Sequence, residues 1–147
     1  MGIDVVDILD PEPGIGQRLA HAAHDGGLGI EDVDYINAHG TGTPENDKME
    51  ALGIQQLFGD RATRIPLSSN KSMIGHSLTA AGAVEAAFSL LTMQHELLPP
   101  TINHQQPDPA IPLDVVPNHA RPAKPRTVLS NSFGFGGQNV SLRLGAA

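Results

Sequence analysis

Four residues carry types and spacings that could do proton and carbanion chemistry. His39 lies in NAHGTGT, residues 37–43, and Lys71, His76 and Glu85 lie in SSNKSMIGHSLTAAGAVEAAFSLL, residues 68–91. Glu85 is a lone carboxylate in an almost wholly apolar run. Burying it costs on the order of several kcal/mol unless it takes up a proton or finds a cation. Lys71, at the mouth of the same run, is the obvious cation. Gly75 allows a bend that aims Lys71 and His76 into one cleft. A desolvated Lys–Glu pair beside two neutral imidazoles can stabilise a developing anion and manage a proton. Each residue also has a plainer reading. His39 could be a turn histidine, Lys71 a solvated side chain beside a capping loop, and Glu85 a carboxylate that meets water through a gap.

The elements that must hold these residues can be read from the pattern around them. VDYINAHG, residues 33–40, reads as a buried strand with His39 at its polar tip. The helix after it is capped by Thr43, starts on Pro44, carries Glu45 and Asp47 at its positive end, and stops at Gly59. RIPLSSN, residues 64–70, is a short strand that delivers Lys71. A helix from about Thr79 to His95 follows, apolar on nearly every face and therefore expected to be buried all round. Upstream, Ile3–Ile8 reads as a short strand or lead-in within residues 1–16, and QRLAHAAHDGG, residues 17–27, as a helix ended by its glycines. Residues 99–125 hold most of the chain's 12 prolines and read as a crossing loop with a short LDVV strand. RTVLSNSFGFGGQNVSLRL, residues 126–144, reads as two strands joined by a glycine-rich turn. The alternation predicts one layered α/β domain over residues 1–147, with a mostly parallel sheet and a terminal antiparallel hairpin. In such sheets ligands bind at the carboxyl ends of strands, where the His39, Lys71–His76 and SFGFGGQN loops all emerge.

Composition removes several classes of function. The 147 residues suit a single domain, and aromatics at 3% leave a core of aliphatic side chains. A net charge of −7, with nine Lys and Arg that form no run, argues against nucleic-acid or anionic-membrane partners. No stretch is apolar enough to span a bilayer and none reads as an export signal, so the expected location is cytoplasmic. The two N-x-S tripeptides, at Asn70 and Asn139, are then coincidental. With no cysteine, the chain supplies no disulfide and no thiol nucleophile. HAAH, residues 21–24, lacks a third ligand at useful spacing, so no metal is expected. SFGFGGQN lacks the strand–loop–helix setting of a nucleotide fingerprint, although a backbone N–H there could serve an oxyanion.

Taken together, NAHGTGTPENDKMEA, SSNKSMIGHSLTAAGAVEA and LSNSFGFGGQNVSL closely resemble the C-terminal half of the β-ketoacyl-acyl carrier protein synthases, condensing enzymes of fatty-acid and polyketide synthesis with a thiolase-like fold. The resemblance runs from about Gly14 to Leu144. It implies that His39 and His76 assist malonyl decarboxylation and stabilise the enolate and thioester oxygen. Lys71 is then the essential lysine and Glu85 its buried charge partner, with Asp47 a structural acid near the same network. Thr41 and Thr43 would hydrogen-bond the pantetheine arm of an acyl carrier protein. Phe133 and Phe135 would flank the acyl pocket, Phe135 as gate and oxyanion donor. No cofactor is implied beyond the phosphopantetheine that carries the substrate. Family members use a cysteine nucleophile in an N-terminal half, and this chain has none, so it cannot form the acyl-enzyme by itself. The expectation is a half-enzyme, either a fragment or one subunit of a split synthase, that needs a Cys-bearing half and forms a homo- or hetero-oligomer. Two alternatives are a noncatalytic partner that binds a carrier protein or shapes an acyl tunnel, and, less favoured by the paired histidines, a degradative thiolase.

Overall fold

The computed structural model describes residues 2–8, 30–134 and 138–145. Residues 17–27, and with them the expected helix and the HAAH pair, lie outside the described residues, as does Phe135. Among the described residues are eight strands: β1 Gly2–Ile8, β2 Tyr35–Asn37, β3 Pro66–Ser68, β4 Leu97–Leu98, β5 Asp114–Val115, β6 Arg121–Pro122, β7 Thr127–Phe133 and β8 Asn139–Gly145. The α-helices described are α1 Pro44–Phe58, α2 Lys71–Ile74 and α3 Ala81–His95. Six strands form one sheet in the order β1-β8-β7-β2-β3-β5, and β4 pairs with β6 apart from it. The three pairings β7–β2, β2–β3 and β3–β5 are parallel, while β1–β8 and β8–β7 are antiparallel. The sheet is thus mostly parallel with the expected terminal hairpin. The N-terminal segment adds a second antiparallel pairing at one edge.

Alternation along the central strands splits the core into two layers. Ile36, Leu67 and Leu129 face one way and pack with Ile54 and Phe58 of α1. Tyr35, Val128 and Leu144 face the other way with Leu98 and Val116, backed by Leu90 and Met93 of α3. A strand with both faces covered reads as a continuous apolar run, which is why the period-2 signal in β2 is weak. The Tyr35 hydroxyl is satisfied by Ser68 Oγ at 2.6 Å, and burial pushes its pKa well up.

The two long helices differ from expectation in instructive ways. Thr43 occupies the N-cap of α1 with no side-chain cap bond, because its hydroxyl lies 2.9 Å from that of Thr41 instead. Gly59 ends α1 at φ 52°, a backbone angle that favours glycine. In α3 three polar residues point inward: Glu85, Ser89 and Thr92 are buried, whereas Ala83, Ala87 and Leu91 are exposed. The reading of a helix buried all round is therefore corrected. The Ser89 and Thr92 hydroxyls bond back to the Glu85 and Phe88 carbonyls at 2.8 Å each, which makes their burial tolerable. Gly82 brings α3 close to β7, since a Cβ there would stand 3.2 Å from Ser132 Oγ. The run expected to start at Thr79 begins with a 3-10 turn, Leu78–Ala80, and the separate short helix α2 places Lys71.

The proline-rich segment carries the short strands β5 and β6 and is held further by side-chain contacts. Asn118 clamps the His104 backbone, accepting from its N–H at 3.0 Å and donating to its carbonyl at 2.8 Å. Arg121 grips Asp114 with two bonds of 2.6 and 2.8 Å. Asn70 is wholly buried, which removes it as a glycan acceptor in the folded chain. No helix among the described residues is long and apolar enough to cross a membrane.

Candidate active site

The strand ends bring the chemically capable residues together. The loop after β2 carries His39. Its peptide N–H donates to Glu50 Oε1 at 3.0 Å, and the next one, of Gly40, donates to Glu50 Oε2 at 2.9 Å. On the other side, Ser69 Oγ donates to the Gly40 carbonyl at 2.7 Å. Gly40 has φ 36°, and a Cβ on it would fall 2.6 Å from Ser69 Cβ, so only glycine fits where these two loops meet. The His39 backbone is therefore pinned from two directions.

The His39 ring stands edge-on to His76, centroids 5.6 Å apart at 84°, and packs against Phe133 at 5.5 Å. Burial, reinforced by the positive charge of Lys71 and by His76, lowers the His39 pKa from 6.5 to about 4. The imidazole is consequently neutral near pH 7. Its Nδ1 is buried with no hydrogen-bond partner among the described residues. His76 is exposed at the opening, where its Nδ1 accepts the Leu78 N–H at 3.0 Å. A neutral imidazole whose Nδ1 accepts must carry its proton on Nε2, so His76 presents Nε2 as a donor. Holding this bond puts Leu78 at φ 53°, a conformation uncommon for a non-glycine residue.

Lys71 and Glu85 form a buried ion pair, with side-chain exposures of 5% and 2%, so the gap-to-water reading of Glu85 does not hold. Ser132 Oγ reaches the other Glu85 oxygen at 3.3 Å. Asn37, just before the His39 loop, donates to the Glu85 carbonyl at 3.0 Å and to Ser89 Oγ at 3.1 Å, tying the tip of β2 to α3. The arrangement combines a neutral base, a neutral N–H donor and a fixed ammonium in one place. It can stabilise negative charge as it develops on an oxygen and can pass a proton.

Thr41 and Thr43 behave differently from the histidines. They line a groove of about 920 Å³ together with Asp47, Ser69, Ile102 and Ile111, and neither His39 nor His76 lines it. Asp47 Oδ1 accepts from Gly42 N–H at 3.2 Å and from Asn46 at 3.0 Å, so it shapes the threonine loop and reaches the His39 network only through its charge on Glu50. Among the described residues no three His, Cys, Asp or Glu gather closely enough to hold a metal ion.

Three residues of the network escaped sequence reasoning: Glu50, Asn37 and Asn131. Glu50 is 3% exposed, takes the two backbone N–H groups above, and accepts a third bond from Asn131 Nδ2 at 3.1 Å. Burial raises its pKa, opposed by these three donors. In the sequence it sits inside the polar string ENDKME, but it shares the i, i+4, i+8 stripe with Ile54 and Phe58, and that periodicity was the available signal.

Comparison with known proteins agrees with this geometry. The family described as beta-ketoacyl synthase, C-terminal domain, matches residues 7–105. The 3-oxoacyl-acyl-carrier-protein synthase 2 of Coxiella burnetii is 51% identical over 147 residues, covering 98% of this chain and 36% of its own length. Among solved structures, the ishigamide ketosynthase/chain length factor superposes with a TM-score of 0.88 at 40% identity, over 99% of this chain and 37% of that one. A type II polyketide synthase acyl-carrier protein in complex with its ketosynthase bound to the hexaketide superposes at 0.89 and 33% identity, over 99% and 38%. The chain thus spans about a third of the length of the relatives it matches.

Proposed function

The chain belongs to the β-ketoacyl synthase family, as its C-terminal domain, and we propose that it supplies the decarboxylation half of a condensing site. The reaction is a decarboxylative Claisen condensation in fatty-acid or polyketide synthesis. A malonyl thioester loses CO₂, and the resulting enolate attacks an acyl group held as a thioester on a cysteine, the new C–C bond forming as the C–S bond breaks and the cysteine leaves as its thiolate. That cysteine comes from a complementary Cys-bearing half, since the sequence has none. No further cofactor takes part, the substrates being carried on the phosphopantetheine of an acyl carrier protein.

The observation that carries this reading is the edge-on pair His39 and His76 beside the buried Lys71–Glu85 ion pair. The Nε2–H of His76, oriented by Leu78, is placed to donate to the malonyl thioester oxygen as it becomes an enolate. His39, with its depressed pKa, stays neutral beside it and manages the proton. Lys71, held in place by its ion pair with Glu85, adds positive charge beside the histidines. Thr41 and Thr43 offer their hydroxyls to the pantetheine arm, and Phe133, packed on the His39 ring, borders the acyl pocket. The solved complex of a similar ketosynthase with its carrier protein supports the carrier partner, and the ketosynthase/chain length factor neighbour supports an oligomeric assembly. The same proposal places this chemistry in the cytoplasm.

The test is His39→Ala in an enzyme that combines this chain with a Cys-bearing half, followed by release of labelled CO₂ from malonyl-carrier protein. Decarboxylation and condensation should both be abolished. Unchanged turnover would remove His39 from the chemistry and leave the noncatalytic carrier-binding reading in its place.

A further inference from the structure

We propose that Asn131, locked by Ser141, is a positioning residue for His39 that acts through Glu50. The proposal rests on the reading that His39 takes part in the reaction, but the relay itself is geometric. Asn131 and Ser141 are directly opposed in the β7–β8 ladder, and Ser141 Oγ donates to Asn131 Oδ1 at 2.8 Å. A hydroxyl can donate or accept, so it is the Glu50 carboxylate, an acceptor, that settles which way the amide points. With Oδ1 engaged by a hydroxyl, Nδ2 faces Glu50 Oε1, which it meets at 3.1 Å. Glu50 has no ion pair among the described residues, so its two oxygens are held by three N–H groups alone. Two of these belong to the His39–Gly40 backbone, and only the Asn131 amide is a side chain. Asn131 thus anchors the carboxylate from outside the loop that the carboxylate holds.

Strand geometry explains why β7 is the anchor. Side chains two apart share a face, so Leu129, Asn131 and Phe133 all point toward α1 and the His39 loop. Leu129 packs in the core with Ile54 of α1, Asn131 holds Glu50 and through it the His39 backbone, and Phe133 packs against the His39 ring. One strand face thereby sets both the position and the tilt of the imidazole. A displacement of about 1 Å in such a group costs up to roughly a hundredfold in rate. An amide donor suits the place. It satisfies a carboxylate oxygen without adding a charge beside a histidine that must stay neutral.

The experiment uses the full chain labelled at histidine, with the His39 imidazole resonance identified by its loss in His39→Gln. Three variants grade the relay. Asn131→Asp keeps the volume but turns a donor into an acceptor, Asn131→Leu removes the polar group, and Ser141→Ala frees only the far end of the amide. The His39 resonance should shift in both Asn131 variants and less in Ser141→Ala, while the exposed His95 and His119 resonances stay in place. In the assembled enzyme, malonyl decarboxylation should fall about 10- to 100-fold in kcat for Asn131→Leu with KM unchanged. The proposal is overturned if His39 does not shift in either Asn131 variant while Glu50→Gln moves it. It is equally overturned if activity follows Tm across the series with the His39 signal unmoved. Should Asn131→Asp fail to fold, the other two variants decide. Decarboxylation that survives His39→Ala would refute the functional reading alone, because the resonance shifts report the relay without reference to catalysis.

Discussion

Two buried carboxylates lie on opposite faces of the same sheet and are stabilised by different means. Glu85, on α3, is compensated by the ammonium of Lys71, whereas Glu50, on α1, is compensated by N–H dipoles from His39, Gly40 and Asn131. Adjacent residues of β7 serve the two sites from its two faces, Asn131 bonding Glu50 and Ser132 bonding Glu85. The difference is one of task. Beneath the histidines the molecule needs a fixed positive charge, and Glu85 is the counter-ion that makes a buried lysine tolerable. Around the His39 backbone it needs acceptors and no added cation, and a carboxylate held by dipoles provides them.

The comparison can be broken most severely at the ion pair. Glu85→Ala leaves an ammonium uncompensated in a dry site and should cost about 3–5 kcal/mol of stability in urea unfolding. The double variant Lys71→Met/Glu85→Leu should recover most of that loss while abolishing catalysis; a double variant as unstable as the single would mean that the pair contributes packing rather than charge compensation. At the dipole site, Glu50→Gln keeps the shape but sets an amide N–H against donors. The expected loss is smaller, about 1–3 kcal/mol by the same measurement.

A sharper distinction comes from proton linkage at His39, where the two sites meet. Its folded pKa is depressed from 6.5 to about 4, so between these values the unfolded chain binds more protons than the folded one. The stability contributed by neutral His39 is therefore present above about pH 6.5 and is lost as pH falls towards about 4. His39→Gln should flatten this part of the stability profile. Because Lys71 is one cause of the depression, the charge-free double variant should let the His39 pKa rise part of the way towards 6.5 in an NMR titration, with burial, the larger cause, still holding it down. The smallest effect is expected at Ser132→Ala. Its bond to Glu85 is 3.3 Å long, and its loss should cost about 0.5–1 kcal/mol without moving the His39 titration.

The two sites were also unequally legible. Glu85 stood out because a single charge in an apolar run has few solutions, and Lys71 was the cation in reach. Glu50 was hidden because ENDKME looks like a solvated first turn, and neither Asn131 nor Asn37 is distinguishable in sequence from turn asparagines. The N-cap at Thr43 was placed correctly, but its hydroxyl chose Thr41, a competition that local pattern does not weigh. Helix α3 was read as buried all round from its composition, yet its exposed line is the apolar one, Ala83, Ala87 and Leu91.

From its sequence alone this chain determines the alternating elements, the loops at the strand ends and the residue types available for carbanion chemistry. These depend on local periodicity, on turn residues and on the energetic demand that a buried charge makes. The tertiary structure alone decides that His39 and His76 meet edge-on, that the threonines open onto a groove lined also by Lys71 and Glu50 but by neither histidine, and that β7 holds one carboxylate on each face. Such relations arise from strand register and from how far each helix stands off the sheet, which bring together residues as distant as Glu50 and Asn131, 81 positions apart in the chain. No local propensity encodes a distance of that kind.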